Sequence, residues 1–319
     1  MHAVLEKIQK LGVVPVVVLN HVEDAEPVAR ALCAGGLPVA EVTFRTDAAA
    51  ESIRIMKQKF PEMLVGAGTI LTIEQAQRAM DAGAEFIVSP GFNANVVKYC
   101  LEKGVPVTPG CNNPTAIEAA LELGLDVLKF FPAEASGGLK AIKAMAAPYG
   151  NVKFMPTGGI SEKNINDYLA FNKIIACGGS WMVSGDLVEN KEFDKIEELT
   201  RQAVMTVLGF ELKHVGINCE CEQEADKTAD FFAKAFGFAK KEGNSSVFAG
   251  SYIEAMKTPY LGAKGHIAIG TNNIDRAVSY LSVLGIDVDM ETAKYKDGKL
   301  TAVYLKEELA GFALHLLQK

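Results

Sequence analysis

Between residues 13 and 209 the chain repeats one grammar eight times, a short apolar run followed by a stretch that is apolar at helical spacing. The runs are VVPVVVL (13–19), VAEVTF (39–44), MLVGAG (63–68), FIVS (86–89), VPVT (105–108), DVLKFF (126–131), VKFMPT (152–157) and KIIACGG (173–179). Runs this short and this apolar suit strands buried on both faces, and the segments between them, such as TIEQAQRAMDAGA, often close on glycine as helices do. Eight strand–helix units predict an α/β fold, a closed (β/α)8 TIM barrel. The competing arrangement is an open doubly wound sheet. It would usually have fewer strands and a glycine-rich dinucleotide loop after the first, and the loop here, LNHVED, has no glycine.

Near residue 210 the grammar changes. KHVGINCE predicts a strand, EADKTADFFAKAFGF a helix, and SSVFAG and YIEAMK two more strands. GHIAIGT restarts the pattern, with a helix in NIDRAVSYLSVLG and strands in IDVDM, LTAVYLK and FALHLLQ. Such an internal repeat is a fold signal in its own right. It predicts an α+β domain of paired β-α-β-β-β modules, so the expected domains are 1–209 and 210–319.

The length of 319 residues accommodates both, and a hydrophobic content of 49% supplies their cores. A formal net charge of −7 speaks against broad binding of nucleic acid or anionic membrane. The opening MHAVLEKIQKLG reads as an amphipathic helix without the features of a signal peptide, and no apolar run approaches a membrane span. Six scattered cysteines without a C-x-x-C pair fit a reducing cytoplasm.

In a barrel, chemistry sits at the carboxyl ends of the strands. Lys129 lies in DVLKFFP with apolar neighbours on both sides. Such surroundings disfavour the ammonium form, and a neutral amine attacks ketones; the plain alternative is a strand-end lysine snorkelling to solvent. Glu41 and Arg45 stand four apart in VAEVTFRT, so on a strand they share a face with Thr43 between them. They read either as a structural ion pair or as a proton-transferring carboxylate beside a guanidinium that grips a substrate carboxylate. Thr69 ends VGAGT and Pro90 ends FIVSP; either is also compatible with a plain turn. PTGGIS (156–161) and CGGS (177–180) place glycine pairs in the seventh and eighth loops, where barrels recurrently hold phosphate.

Taken together, EVTFRT, VGAGT, VSPGF, LKFFPAE, PTGGIS and GGSW resemble the 2-keto-3-deoxy-6-phosphogluconate (KDPG) / 4-hydroxy-2-oxoglutarate (KHG) aldolases over residues 4–208. The resemblance implies a class I lyase on a (β/α)8 barrel, usually a homotrimer, acting on a small phosphorylated keto acid through a covalent lysine imine and without a cofactor. It implies that Lys129 forms the Schiff base and Glu41 is the general acid/base. Arg45, Thr69 and Pro90 would border the pyruvate part, and Thr157 would lie near the substrate chain. Gly158, Gly159, Gly179 and Ser180 would bind phosphate. GCNNPTAIE (110–118) departs from the family's more apolar version, which leaves epimer and chain-length preference open.

The C-terminal repeat carries His214 and Glu254 in one copy and His266 and His315 in the other, a mixed N/O set that suits a divalent transition metal or zinc. The plain alternative is a metal-free domain with histidines on strand faces. Cys219 and Cys221 read as packing residues. Residues 212–317 resemble the glyoxalase/vicinal-oxygen-chelate superfamily, paired β-α-β-β-β modules around a metal, with His315 in place of the more usual glutamate. Three functions follow as expectations: an aldolase with a second domain of unassigned task, a phosphosugar-binding barrel without turnover that regulates or serves a metal-dependent enzyme domain, or a bifunctional chain that joins lyase and metal-dependent activities.

Overall fold

The computed structural model describes residues 1–319. They divide into two compact units, Met1–Val207 and Leu208–Lys319.

The first unit opens with a helix, α1 (Ala3–Leu11), ended by Gly12 in the left-handed region at φ 78°. Eight parallel strands follow: β1 (Val13–Val17), β2 (Val39–Thr43), β3 (Leu64–Gly68), β4 (Ile87–Ser89), β5 (Val107–Pro109), β6 (Val127–Phe130), β7 (Lys153–Pro156) and β8 (Cys177–Gly179). Between them run α2 (Ala25–Ala34), α3 (Ala49–Lys59), α4 (Ile73–Asp81), α5 (Ala94–Glu102), α6 (Pro114–Glu122), α7 (Gly138–Ala146) and α8 (Ile165–Leu169), with α9 (Gly185–Glu189) and α10 (Phe193–Leu208) after the last strand.

Local chemistry sets the helix starts. Thr72 accepts from the Gln75 N–H, and Asn113 accepts from the Ala116 N–H with Pro114 in the first turn. The helices then bury one stripe against the strands. Val28, Leu32, Ile53 and Met56 are fully buried, each stabilising the fold by roughly 1.5–3 kcal/mol.

The strands curl into a parallel sheet in the order β5-β4-β3-β2-β1-β8, beside a parallel pair β6-β7. Single bridges span the intervals: Gly110 with Lys129 between β5 and β6, and Thr157 with Gly178 between β7 and β8. Ladder partners put Glu41 level with Val16 and Gly66, Thr43 with Gly68, and Lys129 with Met155, so these residues share the concave face.

Seven of the eight apolar runs carry strands close to their expected bounds. The eighth is shorter. Its ladder begins at Cys177, because Lys173 donates to the Ala146 and Tyr149 carbonyls at 2.8 and 2.6 Å and Ile174 closes a turn onto Phe171. No helix is long and apolar enough to cross a membrane.

The second unit runs β9 (Glu211–Asn218), α11 (Glu222–Phe236), β10 (Lys240–Glu242), β11 (Ser246–Ala249), β12 (Ile253–Met256), β13 (Gly265–Thr271), α12 (Ile274–Val283), β14 (Val288–Lys296), β15 (Lys299–Leu309) and β16 (Phe312–Gln318). Its one sheet has the order β10-β11-β12-β9-β13-β16-β15-β14. Each half repeats the other, the first strand of a copy lying parallel to its last, and β9 meets β13 antiparallel at the centre. Helix α11 packs on one face of its half, over Val247, Ala249 and Ala255. Their alternates, Phe248 and Glu254, point to the other face. The short strand β10 escapes the sequence pattern, since its residues Lys240, Lys241 and Glu242 are charged and exposed. Charged residues of this kind protect an edge strand.

Candidate functional site

At the carboxyl end of β6, Lys129 is 5% exposed and its Nζ lies 3.3 Å from Glu41 Oε1 on β2. Glu41 itself is 1% exposed, and its Oε2 has no hydrogen-bond partner. A buried ion pair that leaves one oxygen unpartnered is poor engineering for stability, and such pairs mark working sites. Phe131 lies under the ammonium at 5.3 Å from its ring centroid. The lysine's backbone is tied in as well, its carbonyl accepting from Cys111 N at 2.8 Å. Burial raises the Cys111 thiol to about 12, so it stays protonated.

Glu41 reaches this position because β3 carries no side chain opposite Thr43. A Cβ on Gly68 would overlap Glu41 Oε1. Gly178 plays the same part for Thr157, whose Oγ1 occupies the space a Cβ there would need. Gly110 lets β5 pass the Pro90 carbonyl, where a Cβ would also clash. Thr43, Thr108 and Thr157 each bury a hydroxyl without a partner. Thr43 and Thr108 are residues the sequence reading did not single out as binders. Their one signal was a hydroxyl at an otherwise apolar strand position.

Arg45 is placed differently from expectation. The strand ends at Thr43, and the chain turns where Phe44 N donates to Gly68 O at 2.8 Å, so Arg45 is exposed rather than buried on a shared face with Glu41. Its guanidinium still returns to the mouth, Nε donating to Thr69 Oγ1 at 3.3 Å. Thr69 sits in the left-handed region at φ 59°, a costly conformation for a β-branched residue and one that concentrates at functional sites. Gly158 and Gly159 turn after β7 at φ 101° and 80°. Beyond them Glu134 bonds the Tyr168 hydroxyl, and burial together with that carboxylate raises the phenol. Gly179 and Ser180 lie at the end of β8.

In the second unit the sheet centre gathers four residues from four adjacent strands: His214 on β9, Glu254 on β12, His266 on β13 and His315 on β16. Glu254 Oε2 lies 3.0 Å from His214 Nε2 and 3.1 Å from His266 Nε2, and the two imidazole nitrogens are 3.1 Å apart. Ligand atoms of the three histidines lie within 4.8 Å of one another. His315 is 7% exposed, and neither of its ring nitrogens has a partner. Burial, reinforced by His266 and His214, lowers its imidazole to about 3, so it is a neutral donor. Burial alone would raise the Glu254 carboxyl, but hydrogen bonds from His214, His266 and Ser246 outweigh it and hold the group below the usual range. Ser246 Oγ donates to Glu254 Oε1 at 2.6 Å, which leaves Oε2 facing the histidines. A Cβ on Gly216 would overlap the His266 ring. Three imidazoles and one carboxylate brought together in this way are residue types that can ligate a divalent transition metal.

The family model for KDPG and KHG aldolases matches residues 4–199. The chain belongs to this family. Among curated relatives, the 2-dehydro-3-deoxy-phosphogluconate aldolase of Haemophilus influenzae is 49% identical over 201 residues, covering 63% of this chain and 95% of its own. The KHG/KDPG aldolase of Escherichia coli K12 is 45% identical over 192 residues, covering 60% and 90%. Among solved structures, the KDPG aldolase of Legionella pneumophila, captured with pyruvate as a covalent carbinolamine intermediate, superposes with a TM-score of 0.61 at 36% identity. It covers 62% of this chain and 97% of its own. The aldolase match lies within the first unit and contains both members of the Lys129–Glu41 pair.

Proposed function

We propose that the first unit is a Schiff-base aldolase that cleaves KDPG to pyruvate and glyceraldehyde 3-phosphate, and that it also accepts KHG, giving pyruvate and glyoxylate. The observation that carries this reading is the buried Lys129 amine 3.3 Å from a carboxylate with one free oxygen. A barrel that only bound phosphosugars would have no use for that pair. The curled sheet, continued by the bridges at Gly110–Lys129 and Thr157–Gly178, supports a closed (β/α)8 barrel, with residues 1–209 as the catalytic domain. A homotrimer is the assembly we expect, and the six free cysteines suit a cytoplasmic setting.

The chemistry runs on groups already in contact. Glu41 takes a proton from the Lys129 ammonium, the freed amine attacks the C2 ketone, and Glu41 returns that proton to the carbinolamine hydroxyl, which leaves as water to give a protonated imine. Glu41 takes the proton of the C4 hydroxyl, directly or through one water. The C3–C4 bond then breaks with its electron pair moving into the imine, and the aldehyde departs. Glu41 returns the proton to C3 of the enamine, and hydrolysis frees pyruvate. Arg45 and Thr69 hold the keto-acid carboxylate, Pro90 walls the pyruvate methyl, and Thr157 borders the chain. Gly158, Gly159, Gly179 and Ser180 offer backbone N–H groups to phosphate. Holding both ends of the substrate sets C2 against the amine. Lys129→Ala abolishes cleavage on this account; near-normal turnover in that variant overturns it.

For residues 210–319 we propose a glyoxalase-like module that holds a divalent cation on His214, Glu254, His266 and His315. The two unpartnered nitrogens of buried His315 support this. A bound cation would supply Lewis acidity at the open face of the sheet. Calorimetric titration of the demetallated chain with zinc tests it, with one site per chain expected and its loss in the His266→Ala variant.

A further inference from the structure

We propose that Glu134 and Tyr168 are positioning residues, a brace that holds the Gly158–Gly159 loop in its anion-receiving shape and so sets the preference of the first unit for a phosphorylated over an unphosphorylated substrate. This rests on the aldolase reading above and on the phosphate contacts proposed there for that loop.

The bonds of the loop give it a back and a front. Its three successive carbonyls are all taken. Thr157 O accepts from Ala133 N at 2.8 Å, Gly158 O from Glu134 N at 3.0 Å, and Gly159 O from Asn164 Nδ2 at 3.0 Å. The N–H groups of Gly159 and Ile160 donate to no atom of the chain. With φ of 101° and 80° at the two glycines, the backbone is bent into a concavity. Donors left free where the carbonyls are tied back suit an anion.

Two neighbouring segments hold that bend. The turn after β6 lies against the back of the loop. A Cβ on Gly158 would come within 3.3 Å of Ala133 N, and one on Gly159 within 2.6 Å of Glu134 Cβ and Cγ. The Glu134 stem is therefore packed directly on Gly159. From the other side comes α8 with the residue that precedes it, Asn164, whose Oδ1 also accepts from Ser161 N at 2.8 Å. Tyr168 on α8 donates its hydroxyl to Glu134 Oε1 and so links the two segments. Tyr168 is 2% exposed, which fixes the hydroxyl, whereas Glu134 is exposed and has no salt bridge to hold it. Burial and the carboxylate keep the phenol protonated, so it remains the donor.

A carboxylate beside a phosphate site is electrostatically adverse. Its presence here fits a mechanical role, with the bond to a buried phenol directing the charge into the protein instead of toward the front of the loop. Losing that bond both slackens the loop and frees a negative charge next to it. Both effects weaken phosphate binding, and neither touches Lys129.

The test uses the full chain. Steady-state cleavage of KDPG is compared with that of 2-keto-3-deoxygluconate, the same carbon chain without its phosphate, and inorganic phosphate is titrated as a competitive inhibitor of KDPG cleavage. In Tyr168→Phe and in Glu134→Ala the ratio of kcat/KM for the two substrates is expected to fall about tenfold, through KM more than kcat, and the Ki of inorganic phosphate to rise about tenfold. Tyr168→Phe keeps the buried ring and Glu134 is exposed, so both variants are expected to fold. Glu134→Gln keeps an acceptor for the phenol and should stay within about twofold of the unsubstituted chain. The double variant should be no worse than the poorer single one, because both substitutions break one bond. An unsubstituted chain that does not cleave KDPG overturns the aldolase reading itself. Variants that lose both substrates equally, variants that bind inorganic phosphate as tightly as the unsubstituted chain, or a Glu134→Gln chain that loses as much as Glu134→Ala would overturn the inference and leave the aldolase reading standing.

Discussion

Removing the Lys129 amine leaves Glu41 as a carboxylate 1% exposed with no cation beside it. Truncating one partner of a buried pair costs about 3–5 kcal/mol. Lys129→Ala is therefore expected to lower kcat/KM by at least about 10³-fold and also to lower the unfolding temperature. Adding Glu41→Gln should recover part of the stability and none of the activity, which thermal melts and steady-state assays check together. Gly68→Ala makes a finer test. Its Cβ would overlap Glu41 Oε1, so the carboxylate must move, and kcat should fall by about 10²-fold with Lys129 still present. The thiols predict a pH effect. Burial raises Cys33 and Cys100 to about 11 and Cys111 to about 12, from 9.0. An acid whose value rises on folding lends stability that is complete below its unfolded value and is lost as pH climbs past it. Stability should therefore decline above pH 9, and at pH 8 iodoacetamide should label exposed Cys221 well before Cys100 or Cys111.

The strands were readable because each is a short apolar run, most of them closed by glycine or proline, a pattern that survives any tertiary context. What lies across the curled sheet was not readable. Gly68 and Gly178 look like ordinary strand glycines, and their roles exist only because Glu41 and Thr157 come from neighbouring strands. Arg45 was misplaced by two residues of strand length. Period-two alternation is a good guide within a strand and says nothing of where the ladder stops. Strand β10 was hidden because an exposed edge needs no apolar residue. The histidine cluster could be assembled from sequence because the repeat set His214 against His266 and Glu254 against His315, and equivalent strands of the two copies meet at the sheet centre. At this scale Gly178→Ala should displace Thr157 and weaken the bridge between β7 and β8. A loss of about 1–3 kcal/mol in denaturant unfolding is expected, with a raised KM.

At the level of the whole chain the two proposed sites draw their residues from different units. All four proposed metal ligands belong to Leu208–Lys319, and the lysine and its carboxylate belong to Met1–Val207. Treatment with a chelator should leave aldol cleavage unchanged while lowering the unfolding temperature of the second unit, seen as one shifted transition in calorimetry. The aldolase reading itself comes down to which lysine traps the keto acid. The full-length chain is incubated with pyruvate and reduced with borohydride, and its peptides are mapped by mass. The account predicts a single modified lysine, in the peptide containing Lys129, and no modification of that peptide in the Lys129→Ala variant. A reduced pyruvate adduct on any other lysine, or none at all, would contradict it.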